Sequence, residues 1–322
     1  DGIGGKHLQR VVNWWCSSDD LVAKDSSIAL VEAESPSQIR DEFEFSGLSV
    51  VCTNPQTDSY ADYRCDFELW EVDSGFMMYI GCNVTYSKFF DDGTLRTFLT
   101  YGIDRQTLVD DNYGGLALPT TLPISPMSPY YSKSLATNYD YDEMRFIDAA
   151  SKFRVPTNDK GVPRTLQLLV NSDDSARLRC ARNIAATLTE LGLACETVES
   201  PTSVYEARLQ AANYDIYLGI TKLPTTADLS EFYRPWGEMS WGGLANETIY
   251  NMVNQSLADR GNYYNLHKLV ADDGRIIPVM AGYYAIYAKR GVLSDLNPAR
   301  DNVFYYTLGK TMESSKVATQ FS

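Results

Sequence analysis

Apolar runs alternate with helically spaced apolar residues most clearly between residues 165 and 220. The pattern predicts strands at 166–170, 195–198 and 214–218, separated by helices at 174–191 and 200–212. Gly192 is expected to end the first helix, and Ser200 or Ser203 to cap the second. A β-α-β-α-β order implies parallel strands joined by right-handed crossovers. The stretch from 85 to 275 is therefore predicted to be an α/β domain.

Helical spacing continues on both sides of this unit. Asp104 is placed to cap one helix, and Met144, Ile147 and Ala150 share one side of another. A glycine pair and four prolines predict an extended loop rather than a regular element at 114–131. The remaining predicted elements are helices over 95–103, 140–153, 246–257 and 262–271, and a long strand over 275–289.

Composition and charge exclude several classes of protein. The 322 residues are 44% hydrophobic and 22% charged, which is typical of a globular protein with a sizeable core. The net charge of −14 repels phosphate backbones and anionic lipid, so a nucleic-acid-binding role is not expected. No apolar run has the length of a membrane-spanning helix. The chain starts at Asp1 without a Met or a signal segment, so we expect a processed or trimmed piece.

Cysteine and histidine usage offers no metal site and no disulfide framework. The six cysteines include no C-x-x-C pair, and most are expected to be small buried apolar residues. Bridges between Cys52 and Cys65, or between Cys180 and Cys195, stay open at this point. The histidines are His7 and His267 alone, so a histidine-based metal cluster is not expected and neither is a cofactor. Cys16 completes the set of six.

Two sequence blocks carry a resemblance to a known family. LRTFLTYGIDR at 95–105 and GLALPTTLPISP at 115–126 resemble, in order and in residues, a block of the extracellular solute-binding proteins of family 5. IIPV at 276–279 and NVFY at 302–305 resemble the family's return strand and closing segment. This is the peptide, oligopeptide and nickel-binding group that serves ABC importers. Ile220 and Leu223 stand where peptide-binding members usually have a Trp and an Asp.

The resemblance implies a type II periplasmic-binding-protein-like α/β fold. It implies a complete second lobe and only the later part of the first, because the family's large N-terminal portion has no counterpart here. The implied boundaries are residues 1–80 for part of lobe one with the first crossing strand, 81–277 for lobe two, and 278–322 for the return strand and the rest of lobe one.

The implied function is solute binding outside the cytoplasm. The resemblance implies a component of an ABC importer that closes its lobes on a small solute, most simply a peptide, and hands it to a membrane permease. Such a protein is a monomer, lipid-anchored in its full-length form, and not an enzyme. A sensory or regulatory ligand-binding domain of the same fold stays open, and so does an α/β hydrolase or transferase using a carboxylate such as Asp228.

An aromatic and charged stretch follows the strand predicted at 214–218. Ligands of open α/β sheets bind beyond the carboxyl ends of strands, in pockets with aromatic walls and a few polar groups. Two further aromatic residues lie on the strands that the resemblance places between the lobes. The candidate ligand-binding residues are Asp228, Tyr233, Arg234, Trp236 and Trp241 in the stretch, with Tyr79 and Tyr283 on the crossing strands. No catalytic residues are predicted, because no nucleophile elbow, P-loop or H-E-x-x-H motif is present.

Overall fold

The computed structural model describes residues 6–9, 11, 27–45, 47–55, 63–294, 298, 300 and 309–310. The strands are β1 Lys6–Gln9, β2 Ser27–Leu30, β3 Val50–Thr53, β4 Phe67–Cys82, β5 Leu118–Pro119, β6 Leu166–Asn171, β7 Cys195–Ser200, β8 Ile216–Lys222, β9 Ile276–Lys289, β10 Leu293–Ser294 and β11 Gly309–Lys310. The helices are α1 Pro36–Phe45, α2 Thr94–Phe98, α3 Arg105–Tyr113, α4 Lys133–Ala136, α5 Glu143–Lys152, α6 Ser175–Glu190, α7 Thr202–Gln210, α8 Ser230–Tyr233, α9 Glu247–Ala258 and α10 Tyr263–Asp273.

The chain divides into two units. The smaller unit comprises Asp1–Ser74 and Tyr283–Ser322, and the larger unit is Gly75–Gly282. Within the described part of the chain, no helix combines the length and the apolar character that crossing a membrane requires.

The smaller unit packs a helix and short strands around aromatic rings. β3 pairs antiparallel with the end of β9, and β1 pairs antiparallel with β2. The Tyr63 ring lies 4.7 Å from the Phe43 ring of α1 and 4.8 Å from the Tyr287 ring of β9, measured between centroids. These edge and tilted contacts join α1 to the strand pair.

The larger unit contains the predicted β-α-β-α-β order. β6 pairs parallel with both β7 and β8, so the parallel sheet predicted from the sequence is confirmed. β4 joins β8 antiparallel, and β9 lies beside β4 and pairs with the short strand β5. The parallel strands end at Asn171, Ser200 and Lys222, which mark the carboxyl edge of the sheet. The opposite ends, near Leu166 and Ile216, mark the amino edge.

Both faces of this sheet are covered, as expected where alternate side chains of a buried strand point to opposite sides. Leu168 and Val170 of β6 belong to one apolar cluster with Ile184 of α6. Leu169 belongs to a second cluster with Val253 of α9. Each of these five side chains is at most 2% exposed, so the central strand is fixed on both faces.

The helix predicted over 95–103 is wrong in its second half. α2 ends at Phe98, and a 3-10 turn covers Leu99–Gly102. The buried Arg105 guanidinium donates to the Thr100 and Ile103 carbonyl oxygens, at 3.2 and 3.3 Å. Those carbonyls are thereby drawn away from a regular helical ladder.

The Asp104 cap is confirmed. Its Oδ1 accepts a hydrogen bond from the Thr107 backbone N–H at 3.1 Å, at the first turn of α3. The neighbouring Arg105 donates instead to the carbonyls described above, to the Pro278 carbonyl and to the Thr100 hydroxyl.

The helix predicted over 140–153 is present as α5, but its buried residue is not one of the three apolar residues on the predicted side. Met144 is 75% exposed and Ile147 is 38% exposed, whereas Phe146 is fully buried. The Phe146 ring packs against the Phe98 ring at 5.4 Å, so an aromatic pair rather than the aliphatic side chains sets the rotation of the helix. The strand predicted over 275–289 is confirmed as β9, and the predicted loop over 114–131 contains one short strand, β5, that pairs with it.

The described cysteines are free thiols, so neither bridge left open above is present in the structure. Cys82 and Cys180 are buried as predicted, and burial raises the pKa of the Cys180 thiol to about 12. Cys52 is exposed, and Cys65 and Cys195 are half-buried, so the expectation that most cysteines are buried is not met among the described residues. Cys16 lies outside the described residues.

Candidate functional site

The carboxyl edge of the larger unit brings together the starts of two helices and one loop. α6 follows β6, α7 follows β7, and the loop 223–245 follows β8. Helix N-termini and the loops after parallel strands are where open α/β sheets bind ligands. The candidate site is therefore built from this edge.

A polar cluster joins the starts of α6 and α7. Asp173 Oδ2 accepts hydrogen bonds from the Thr202 backbone N–H at 2.9 Å and from the Thr202 hydroxyl at 2.7 Å. Asn171 Nδ2 donates to the Thr202 hydroxyl oxygen at 3.0 Å. These backbone and side-chain hydrogen bonds from Thr202 lower the pKa of the exposed Asp173 carboxyl, because they favour its charged form.

This cluster corrects the predicted start of α7. Pro201 occupies the cap position, and neither Ser200 nor Ser203 caps the helix. A carboxylate from the preceding βα connection supplies the missing acceptor instead. The neighbouring Asp174 does cap its own helix, because its Oδ1 accepts from the Arg177 backbone N–H at 3.0 Å.

Arg177 places a buried cation beside this cluster. It is 7% exposed, with Nε 3.5 Å from Asp174 Oδ2 and Cζ 5.5 Å from the centre of the Tyr205 ring. The Tyr205 hydroxyl donates to the Leu218 carbonyl of β8 at 3.0 Å, which fixes that ring. Among the described residues, Arg177 Nε has no hydrogen-bond partner. The start of α6 therefore holds a buried guanidinium, four residues along the chain from the exposed Asp173 carboxylate.

The first part of the 223–245 loop supplies a second carboxylate. Asp228 Oδ1 accepts from the Ser230 backbone N–H at 2.8 Å and from the Ser230 hydroxyl at 2.6 Å, so it is held against the first residue of α8. Leu223 N–H donates to the Gly75 carbonyl of β4 at 2.8 Å, which starts the loop at the carboxyl edge. Among the candidate ligand-binding residues of this loop, Asp228 is therefore the one that lies nearest to the carboxyl edge along the chain.

Arg234 is paired within the loop. Its Nε lies 3.0 Å from Glu231 Oε1, and its Nη2 lies 2.8 Å from Glu231 Oε2. Hydrogen bonding from Arg234, and then from the Glu238 backbone N–H, lowers the pKa of Glu231, and the same pair raises the pKa of Arg234. The bidentate pair orders the turn after α8. Surface pairs of this kind contribute little more to stability than this local order.

The later part of the loop reaches the amino edge of the sheet. The Gly242 carbonyl accepts from the Val84 backbone N–H at 2.9 Å, and Val84 follows the end of β4. That end of β4 pairs Cys82 with Ile216, the first residue of β8. Trp241, next to Gly242, is half-buried and packs on the second apolar cluster. The structure therefore does not bring Trp241 and Asp228 to the same edge.

The other predicted residues occupy three different environments. Tyr79 and Tyr233 are 1% and 0% exposed in the core of the larger unit, where the Tyr79 ring packs on the Phe232 ring at 5.1 Å. Trp236 is 96% exposed and has a φ of 61°, a left-handed conformation that is rare for a residue with a Cβ. Tyr283 is 7% exposed on β9 in the smaller unit. Ligand contact by these residues stays a prediction.

Sequence reasoning missed Asp173, Arg177, Thr202 and Tyr205 as site residues. In the sequence, the Asp173-Asp174 pair is typical of the entry to a single helix. The signal that would have found them is positional, because residues directly after β6 and β7 must meet at one edge of a parallel sheet. Among the described residues, no group of three His, Cys, Asp or Glu side chains has an arrangement that could hold a metal ion.

Comparisons with known proteins agree with this architecture. The sequence matches the family model described as bacterial extracellular solute-binding proteins, family 5 Middle, over residues 19–243. No curated protein matches the chain.

Solved structures of this type share the fold at low sequence identity. AppA from Clostridium difficile superimposes with a TM-score of 0.71 at 15% identity, over 89% of this chain and 62% of AppA. NikA from Brucella suis in complex with Fe(III)-EDTA gives 0.70 at 15% identity, over 95% of this chain and 66% of NikA. The oligopeptide-binding protein AppA from Bacillus subtilis, in complex with a nonapeptide, gives 0.62 at 15% identity, over 89% and 60%.

This chain spans less than two thirds of the length of each of these three proteins. Its fold is the mixed α/β fold of the type II periplasmic binding proteins. Because the family model matches more than half of the residues, the chain belongs to the bacterial extracellular solute-binding proteins of family 5.

Proposed function

We propose that this chain is the solute-binding component of an ABC importer, which captures a small solute outside the cytoplasm and changes no bond in it. The family match over residues 19–243 carries the proposal. A peptide is the preferred ligand class, and the nonapeptide complex of Bacillus subtilis AppA supports it. Because NikA was solved in complex with Fe(III)-EDTA, metal chelates are the alternative ligand class to be screened beside peptides.

The charges of the carboxyl edge suit a ligand that carries both signs. A small peptide has an ammonium and a carboxylate, and charge-assisted hydrogen bonds to such groups are the strong ones. We assign the ligand carboxylate to Arg177, which is buried and lies beside a helix N-terminus. We assign the ammonium to Asp173 or Asp228, because Ile220 and Leu223 offer no charge at the positions that peptide-binding members use.

Binding is proposed to act through closure of two lobes. The larger unit, Gly75–Gly282, would correspond to lobe two, for which the sequence predicted 81–277. The smaller unit would hold the lobe-one residues predicted at 1–80 and 278–322. A ligand shifts the equilibrium between open and closed forms only by its differential affinity for them. Residues outside the larger unit are therefore expected to contribute to affinity.

The partners follow from the same proposal. The closed, loaded protein would dock on a membrane permease, and the full-length protein would work as a lipid-anchored monomer on the outer side of the membrane. Delivery, rather than chemistry, is then the measurable activity.

A thermal-shift screen of the full-length protein tests the function. Peptides, nickel chelates and oligosaccharides are each added in excess, because a ligand at about 100 times its Kd stabilises the folded state by about 2.7 kcal/mol. We expect at least one peptide to raise the unfolding midpoint. A protein whose midpoint none of these solutes raises would not be a solute-binding component of this kind.

A matched pair of variants on α6 tests the proposed site. Arg177→Met removes the buried cation, and Arg182→Met removes an exposed arginine whose partner is Glu199 on the surface. We expect the peptide-induced shift to disappear in the first variant and to persist in the second. Circular dichroism spectra of both variants confirm that they fold before the shifts are compared. An undiminished shift in folded Arg177→Met would place the ligand elsewhere.

A further inference from the structure

The segment 223–228, which carries Asp228, has an unusual backbone. Ala227 has a φ of 51°, in the left-handed region that residues with a Cβ rarely adopt. Its N–H donates to the Pro224 carbonyl at 2.8 Å, so the chain turns sharply just before Asp228. Such a conformation persists only where surrounding contacts determine it.

One of these contacts is a buried tyrosine from a distant helix. The Tyr263 hydroxyl donates a hydrogen bond to the Thr226 carbonyl oxygen, on the peptide unit that leads into Ala227. Tyr263 is 4% exposed at the first turn of α10. The bond therefore fixes the orientation of the peptide plane between Thr226 and Ala227.

The Tyr263 ring is itself held from the other side. It stacks on the Tyr130 ring with centroids 5.0 Å apart and planes 25° apart. The ring can thus pivot little, and its hydroxyl is presented to Thr226 in one place.

We infer that Tyr263 is a positioning residue of the ligand site: its hydroxyl fixes the 223–228 segment and so sets the position of the Asp228 carboxylate, one of the two groups proposed for the ligand ammonium. This role rests on the proposed function. α10 supplies no proposed ligand contact. Through Tyr263 it nevertheless influences the affinity for the solute.

The electrostatics of the hydroxyl are consistent with a permanent donor. Burial is the largest cause that raises the pKa of Tyr263; Arg260 acts against it, and the Asp228 carboxylate adds to it. The phenol therefore keeps its proton throughout the neutral range.

Two variants that each lose one hydroxyl test whether Tyr263 anchors the 223–228 segment. Tyr263→Phe keeps the stacked ring but removes the donor to Thr226, whereas Tyr130→Phe keeps the stack and removes only the contact to the exposed Arg260. Amide hydrogen exchange is measured on the ligand-free, full-length proteins. We expect exchange in residues 224–230 to rise about tenfold or more in Tyr263→Phe, with β6 and α6 unchanged, and to stay at the wild-type rate in Tyr130→Phe.

The same variants are then titrated with the peptide identified in the thermal-shift screen. We expect Tyr263→Phe to raise the Kd about tenfold, as loss of one well-placed hydrogen bond implies, while Tyr130→Phe binds as the wild type. Unchanged exchange at 224–230, or an increase spread over the whole larger unit, would overturn the anchor. Raised local exchange with an unchanged Kd would overturn its role in binding. A wild type that binds no solute would contradict the proposed function, and the exchange data would still decide the anchor.

Discussion

Asp173 and Thr202 connect two successive βα units at the carboxyl edge of the larger unit. One carboxylate oxygen, Asp173 Oδ2, accepts from both the backbone N–H and the hydroxyl of Thr202, at 2.9 and 2.7 Å. Asp173, two residues before α6, therefore caps the first turn of α7. This contact joins the starts of the two helices, and the buried Arg177 lies on the first turn of α6.

Removing that cap is expected to weaken the folded state in a pH-dependent way. The folded pKa of Asp173 lies below its ordinary value, so its contribution is complete above about pH 4 and is lost as the pH falls further. Asp173→Ala removes the acceptor, so it should lower the unfolding midpoint at pH 7 and flatten the loss of stability below about pH 4. Thermal unfolding followed by circular dichroism measures both effects. Asp159→Ala, on an exposed turn, is the control, and equal behaviour of the two variants would contradict the cap.

Arg105 is expected to be structural. It is 5% exposed, and its guanidinium donates to the Pro278 carbonyl at 2.8 Å and to the Thr100 hydroxyl at 2.8 Å. Burial lowers the pKa of Arg105 to about 10, so it stays charged at neutral pH. Arg105→Met should lower the free energy of unfolding by about 3 kcal/mol, because it leaves buried acceptors without a donor. Urea unfolding measures the loss, and a cost as small as that of the exposed control Arg182→Met would contradict this role.

Two glycines that end helices allow the cost of a positive φ to be measured separately from the cost of steric crowding. Gly274 ends α10 with a φ of 66°, and a Cβ there would lie 2.2 Å from the Arg96 carbonyl oxygen. Gly114 ends α3 with a φ of 57° and has open space around it. Gly114→Ala should cost about 1 kcal/mol through its positive φ alone. Gly274→Ala should cost at least about 2 kcal/mol more, because the backbone must also move. Equal losses in urea unfolding would contradict the close approach.

His267 is expected to make the larger unit sensitive to acid. It is fully buried beside Tyr263, and burial lowers its pKa to about 4, so the folded state holds it neutral. Its contribution is complete above the ordinary pKa near 6.5 and is lost as the pH falls to about 4, a change of about 3 kcal/mol. Urea unfolding between pH 7 and pH 4 measures the slope. His267→Leu should flatten it, and an unchanged slope in that variant would assign the acid sensitivity to other groups.

The sequence predicted the elements whose signal is periodic. The alternation over 166–218 predicts the parallel strands, since β6 is buried on both faces and four of its six residues are apolar. It failed where side chains from elsewhere decide. Arg105 ends the helical geometry of 99–102, and the Phe98–Phe146 pair sets the rotation of α5. Neither contact leaves a local signature.

The site was predictable only in its location. The carboxyl edge follows from the β-α-β-α-β order, and Asp228 lies in the loop part nearest that edge, as expected. The path of the 223–245 loop did not follow, because a loop that crosses a sheet is directed by backbone contacts such as Gly242 to Val84. Sequence proximity therefore grouped Trp241 with Asp228, whereas the fold separates them.

The position of bound solute is the most direct test of the account. The amide and side-chain NMR signals of the full-length, deuterated protein are recorded with and without the peptide found by thermal shift. We predict that the largest shifts fall on Asn171, Arg177 Nε, Thr202 and the 223–228 segment. Shifts confined to the amino edge around Trp241, with Arg177 and Asp228 unmoved, would contradict binding at the carboxyl edge.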